Sequence, residues 1–195
     1  YAMLCTARLN LGDFEAARIA GQSMIDMGLP GFHLALSQMA LGDRDAAQET
    51  YYDTRRFVGT MITPPPGAME VTDEVRDFYL MTAAKGVCSG DAEAHKDYCN
   101  LVDMLHETLL EPYDHSVAWP AIWMGHTDLV MKIYRERIHP GNMAGLMHLW
   151  ADIEPMNRTI NHPDFMAFAE DIGMVEAWEK YGWPDMIPSD PRTTS

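Results

Sequence analysis

Cys88, His95 and Cys99 fall within twelve residues, and His115 and His126 follow, so one stretch concentrates the side chains that a borderline transition metal prefers. On a helix, His95 and Cys99 form an i, i+4 pair able to hold two coordination positions. A third and fourth ligand would have to come from elsewhere, because the chain has no CxxC pair, no HExxH and no two-by-two ligand spacing. Packing and surface roles account for these histidines better than ligation does. The paired acids Asp43 with Asp45 and Glu70 with Asp73 sit where turns give way to helices, and there a carboxylate favours the helix dipole. No GxSxG elbow, glycine-rich phosphate loop or dinucleotide fingerprint occurs. The sequence therefore offers no catalytic residue, no metal site and no cofactor. The one enzymatic alternative it permits is a metal-assisted hydrolase built on His95 and Cys99.

The elements that position these residues are announced by a repeated phrase. LNLGDFEAAR, from Leu9 to Arg18, returns thirty residues later as MALGDRDAAQ, from Met39 to Gln48. A helical pattern, then Gly-Asp, then Ala-Ala is what a tight helix-turn-helix needs. Glycine takes the left-handed cap of the first helix, aspartate caps the second, and small alanines allow close approach. Weaker copies surround Gly90 and Gly125, giving four hairpins at intervals of 30, 48 and 35 residues, the spacing of a helical solenoid. Hydrophobic periodicity predicts helices over 1–11, 14–27, 31–41, 44–59, 72–89, 92–110, 116–124, 127–138, 142–153, 163–172 and 174–181, and no strands. TPPPG, Thr63 to Gly67, forbids helix and reads as a stiff connector that lengthens the second interval. Expected segments are two hairpins over 1–60, a connector over 61–71, two hairpins over 72–140, and capping helices with a tail over 141–195. Together they would make one continuous domain.

Across 195 residues there are 14 basic and 29 acidic side chains, a net charge of −15 that repels phosphate backbones and anionic headgroups. Binding to nucleic acid or to a membrane is not expected. Between Glu70 and Asp114, eleven acids face three bases, which reads as a solvated helix surface. Three sparse cysteines imply no disulfide framework, and a reducing, cytoplasmic setting fits them. Tyr1 falls inside a predicted helix, as in a piece of a longer protein. Of the sixteen methionines, Met24, Met27, Met39, Met104, Met131 and Met147 fall at core spacing.

The hairpin pattern resembles tetratricopeptide repeats (TPR), whose 34-residue unit carries a large aromatic and a leucine in its first helix, a Gly-Asp-aromatic turn and a small alanine in its second. Aligned on the turn, the first unit matches at Tyr1, Leu4, Gly12, Phe14 and Ala17, and the second at Leu34, Ala35, Gly42, Ala47 and Tyr51. The third matches at Tyr79, Ala83, Gly90 and Ala94, and the fourth at Val117, Ala118, Gly125 and Tyr134. Arg44 stands where the signature has an aromatic, and His95 where it has a small residue. The segment from His162 to Asp185 is similar to the closing part of tetratricopeptide regions in bacterial multidomain regulators. In those proteins a winged-helix or adenylate cyclase domain lies upstream, and some place the region in the periplasm. The resemblance implies an all-α, right-handed solenoid, with Phe165, Phe168, Met174 and Trp178 capping one end.

It also implies a binding groove, whose positions fall on Phe32, Leu36, Met39, Leu80, Ala84, His115, Trp119 and Trp123, flanked by Ala2, Thr6, Leu9 and Val87. The set is markedly apolar. Three explanations stand open: an apolar partner, filling by the chain's own C-terminal helices, or a misaligned fourth unit whose tryptophans are core. The expected function is a non-catalytic interaction or regulatory module within a larger bacterial regulator, binding a protein or peptide segment or an upstream domain, as monomer or homodimer. The first alternative is a sensor that encloses a small apolar ligand near Trp119 and Trp123.

Overall fold

The computed structural model of the chain describes residues 1–61, 72–109, 115–140, 143–146 and 149–187. Among them are eleven α-helices and one turn of 3-10 helix at Ala144–Leu146, with no strand. The helices are α1 (Ala2–Asn10), α2 (Phe14–Asp26), α3 (Phe32–Ala40), α4 (Arg44–Met61), α5 (Asp73–Cys88) and α6 (Ala92–Leu109). They continue with α7 (His115–Met124), α8 (Thr127–Arg137), α9 (Glu154–Ile160), α10 (Phe165–Asp171) and α11 (Met174–Tyr181). The chain divides into two compact units, Tyr1–Leu110 and Glu111–Ser195, a boundary that falls inside the segment expected to run from 72 to 140. The proline-rich stretch from Thr63 to Gly67 lies outside the described residues.

In the first unit each helix packs on the next, from α1 on α2 through α5 on α6. The repeated phrase does locally what its composition dictates. Gly12 takes φ +72° and Gly42 takes φ +84°, a left-handed backbone that costs glycine little. The Gly12 amide donates to the Leu9 carbonyl (3.0 Å) and the Asp13 amide to the Arg8 carbonyl (2.9 Å), which satisfies the carbonyls at the end of α1. Met39 and Gln38 serve Gly42 and Asp43 in the same way. Asp13 Oδ1 then accepts from the Ala16 amide (3.3 Å), capping α2, and Asp43 Oδ1 from the Ala46 amide (3.4 Å), capping α4. Ala17 and Ala47, both fully buried, let neighbouring helices close up.

Two helical glycines bring backbones closer still. A Cβ on Gly21 would lie 2.8 Å from the Leu34 Cα, and one on Gly86 would lie 2.5 Å from the Tyr98 Cβ and 3.0 Å from the Ala94 carbonyl oxygen. Around these approaches the interior closes on Cys5, Leu9, Leu34, Leu36, Tyr51, Val87 and Tyr98. Met24, Met39 and Met131 are buried as their spacing predicts, whereas Met27 and Met104 lie on the surface. Met147 lies outside the described residues.

The second unit packs α7 on α8 and α9, and α10 on α11. Tyr134 stacks on Phe168 (5.6 Å between ring centres), Phe165 packs beside Phe168, and Trp178 meets both Trp150 (6.1 Å) and Trp183 (5.4 Å). Phe165, Phe168 and Met174 are buried and Trp178 half-buried, so the residues expected to cap form this unit's own interior. The helix expected over 142–153 is not formed. Its described residues hold the short 3-10 turn and a turn at 149–150, and the α-helix begins only at Glu154. Pro155 stands in the first turn of α9, where its fixed φ suits a helix start and no amide hydrogen is needed.

The close approaches separate two kinds of glycine. Gly86→Ala pushes a methyl onto Tyr98 and the Ala94 backbone and is expected to lower stability by about 1–3 kcal/mol. Gly12→Ala meets no atom within 4 Å and strains only the turn, an expected cost of about 1 kcal/mol. Urea denaturation of both variants measures the difference.

Candidate binding cleft

Of the eight expected groove residues, Leu36, Met39, Leu80 and Ala84 are buried in the first unit and belong to its core. Phe32 is half-buried and edge-on to the buried Tyr51 ring (5.9 Å), so it too supports packing. Trp123 is half-buried on α7, while the side chains of His115 and Trp119 lie outside the described residues. Ala2 is half-buried and Thr6, Leu9 and Val87 are buried. These positions do not form an open apolar surface among the described residues.

The polar side chains of the interior are placed for packing. Tyr51, Tyr79 and Tyr98 meet where α4, α5 and α6 join, and Arg55 Nη2 donates to the Tyr79 hydroxyl (3.4 Å). Burial pushes the Tyr51 and Tyr98 phenols far above their ordinary range, so neither gives up a proton near neutral pH. The thiols follow the same rule. Burial pushes Cys88 up to about 12, and it raises Cys5, whose Sγ donates to the Ala17 carbonyl (3.2 Å). Cys99 is raised by burial and then by Asp103. An activated thiol needs the opposite shift. No group of three or more metal-ligating side chains occurs among the described residues. In the second unit, His162 receives the Asp164 amide at Nδ1 (3.1 Å) and meets Asp128 Oδ1 through Nε2 (2.9 Å). Both ring nitrogens are engaged, and Arg135 holds Asp164 at 3.2 Å. The arrangement ties α8 to the start of α10 and leaves no nitrogen for general-base work.

An open cleft of about 380 Å³ lies elsewhere in the first unit, between α2, the link from Gly28 to Gly31, α3 and α4. Gly28 (φ +75°) ends α2, and Pro30 keeps the link from continuing as helix. The Gly31 amide donates to the buried Thr54 Oγ1 (3.0 Å), fixing the link against α4. Ile25, Leu29 and Phe57 line the cleft and stay 38%, 47% and 38% exposed. Glu49 and Asp53, one turn apart on α4, stand on its wall, and Phe57 is one turn further. The signal that marks this face in the sequence is the i, i+4, i+8 series Glu49, Asp53, Phe57, which a groove placed on first helices passes over. A second, wider cleft of about 690 Å³ on α5 and α6 includes Lys85 among carboxylates such as Asp91 and Asp97.

No protein-family model, curated protein or solved structure matches the chain. The cleft is therefore read from its own chemistry.

Arg44 explains itself in this setting. Its guanidinium lies over the Gly90 turn, and Nη1 donates to the Cys88 carbonyl (3.3 Å), placing a cation at the negative end of α5. Arg158 covers the Gly125 turn of the second unit in the same manner.

Two measurements follow. With Ellman's reagent at pH 8, the half-buried Cys99 is expected to react in the native protein, while Cys5 and Cys88 wait for denaturant. Burial holds His33 below its ordinary range, so the folded state keeps it neutral. That stability is fully present above the unfolded value of about 6.5 and is lost as pH falls through it toward the folded value. The urea midpoint is expected to drop between pH 7 and pH 5, and to drop less in His33→Gln.

Proposed function

We propose that the chain is a non-catalytic interaction module, a helical-repeat segment of tetratricopeptide type that binds a peptide segment of another protein. The observation that carries this reading is the cleft between α2 and α4. Ile25, Leu29 and Phe57 stay partly exposed in a concave setting, beside the carboxylates of Glu49 and Asp53. An exposed, concave apolar patch rimmed by polar groups marks an interaction site. The raised thiols and engaged histidine support the non-catalytic part of the reading. The resemblance of residues 162–185 to the closing part of bacterial regulators supports a place in a larger signalling or transcriptional protein.

Selection of a phage-displayed peptide library on the immobilised protein tests this. Enriched peptides are expected whose binding drops at least tenfold in Leu29→Glu, a surface change that leaves the circular dichroism melt within a few degrees. No enrichment over the bare support, or peptides indifferent to Leu29→Glu, overturns the assignment.

A further inference from the structure

The α2–α4 cleft carries two carboxylates and no cationic side chain, and this specifies what the cleft receives. Glu49 and Asp53 line it, and among the described residues neither makes an ion pair or a hydrogen bond. Gln38 Oε1, from α3, is shielded from solvent and accepts no hydrogen bond among the described residues. Gln22 is already spent, its Nε2 donating to Asp26 (3.0 Å). The lining contains no lysine, arginine or histidine. Two carboxylates without a cationic partner therefore stand beside an apolar wall of Ile25, Leu29, Leu34 and Phe57. The wider cleft on α5 and α6 differs on this point, because Lys85 stands among its carboxylates.

We infer that the cleft takes a basic, apolar peptide segment: an arginine or lysine whose cationic head reaches Glu49 and Asp53 while its flanking apolar side chains cover Leu29 and Phe57. This rests on the interaction-module reading above. The guanidinium supplies several donors in a fixed fork, and its methylene stem lies comfortably against apolar surface. Neutral apolar peptides fill the same wall but leave the two carboxylates without a cation.

Isothermal titration of the full chain tests the inference with two synthetic 12-residue peptides, one of leucine, alanine and arginine and one with glutamine in place of each arginine. The arginine peptide is expected to bind about tenfold or more tighter than the glutamine peptide. Glu49→Gln/Asp53→Asn is expected to weaken it about tenfold, the sum of two partly exposed pairs. Asp171→Asn/Glu176→Gln, which removes the same charge from exposed positions of the other unit, is expected to change it by no more than about twofold. Equal weakening by both double variants means diffuse attraction to an acidic protein and overturns the inference. Equal binding of the two peptides, lost in Leu29→Glu, also overturns it while leaving the interaction reading intact. If neither peptide binds, the inference fails, and the library selection alone decides the broader reading.

Discussion

Close backbone approach is the constraint on which the first unit depends. Helices joined by short Gly-Asp turns must lie side by side, and they bury apolar surface well only if nothing larger than a methyl stands between them. Ala17, Ala47, Gly21 and Gly86 meet that condition, and at Gly86 the neighbouring atoms include backbone that cannot move aside. The core residues gather around these points. Tyr98 packs where Gly86 leaves room, and Leu34 packs where Gly21 does.

The parts of this fold that are local were legible in the sequence. The phrase of an apolar residue, Gly, Asp and two alanines encodes a left-handed cap, a side-chain cap and a close contact within ten residues, and each forms as composition dictates. The helix expected over 142–153 rested on periodicity alone, which does not fix where a helix begins; the α-helix starts at Glu154, with Pro155 in its first turn. Arg44 looked like a departure from the repeat pattern because its partner, the Gly90 turn, lies forty-six residues further along the chain.

The binding surface was the least legible part. Positions such as Leu36 and Leu80 are apolar at helical spacing, and such spacing cannot distinguish a groove lining from a core. The cleft that stays open is made by a link, Gly28 to Gly31, whose Gly31 amide is tied to Thr54 of α4, twenty-three residues away in the chain. Its polar wall was visible as Glu49, Asp53 and Phe57 on one face of α4. Its apolar wall joins Ile25 of α2 and Leu29 of the link to Leu34 of α3 and Phe57 of α4, so the cleft draws on two hairpins and neither looks like a site alone.

The arginines over Gly90 and Gly125 have a consequence for how such a chain can be assembled in evolution. In the first unit, the side chain that finishes the end of α5 is supplied by the hairpin before it. A copy of the hairpin around Gly90 made by itself arrives without the arginine that covers its turn, whereas the turns at Gly12 and Gly42 have no such cover to lose. Duplications cut through the middle of hairpins carry the arginine and its turn together. The junction between hairpins, rather than the hairpin, is the piece that can be copied whole.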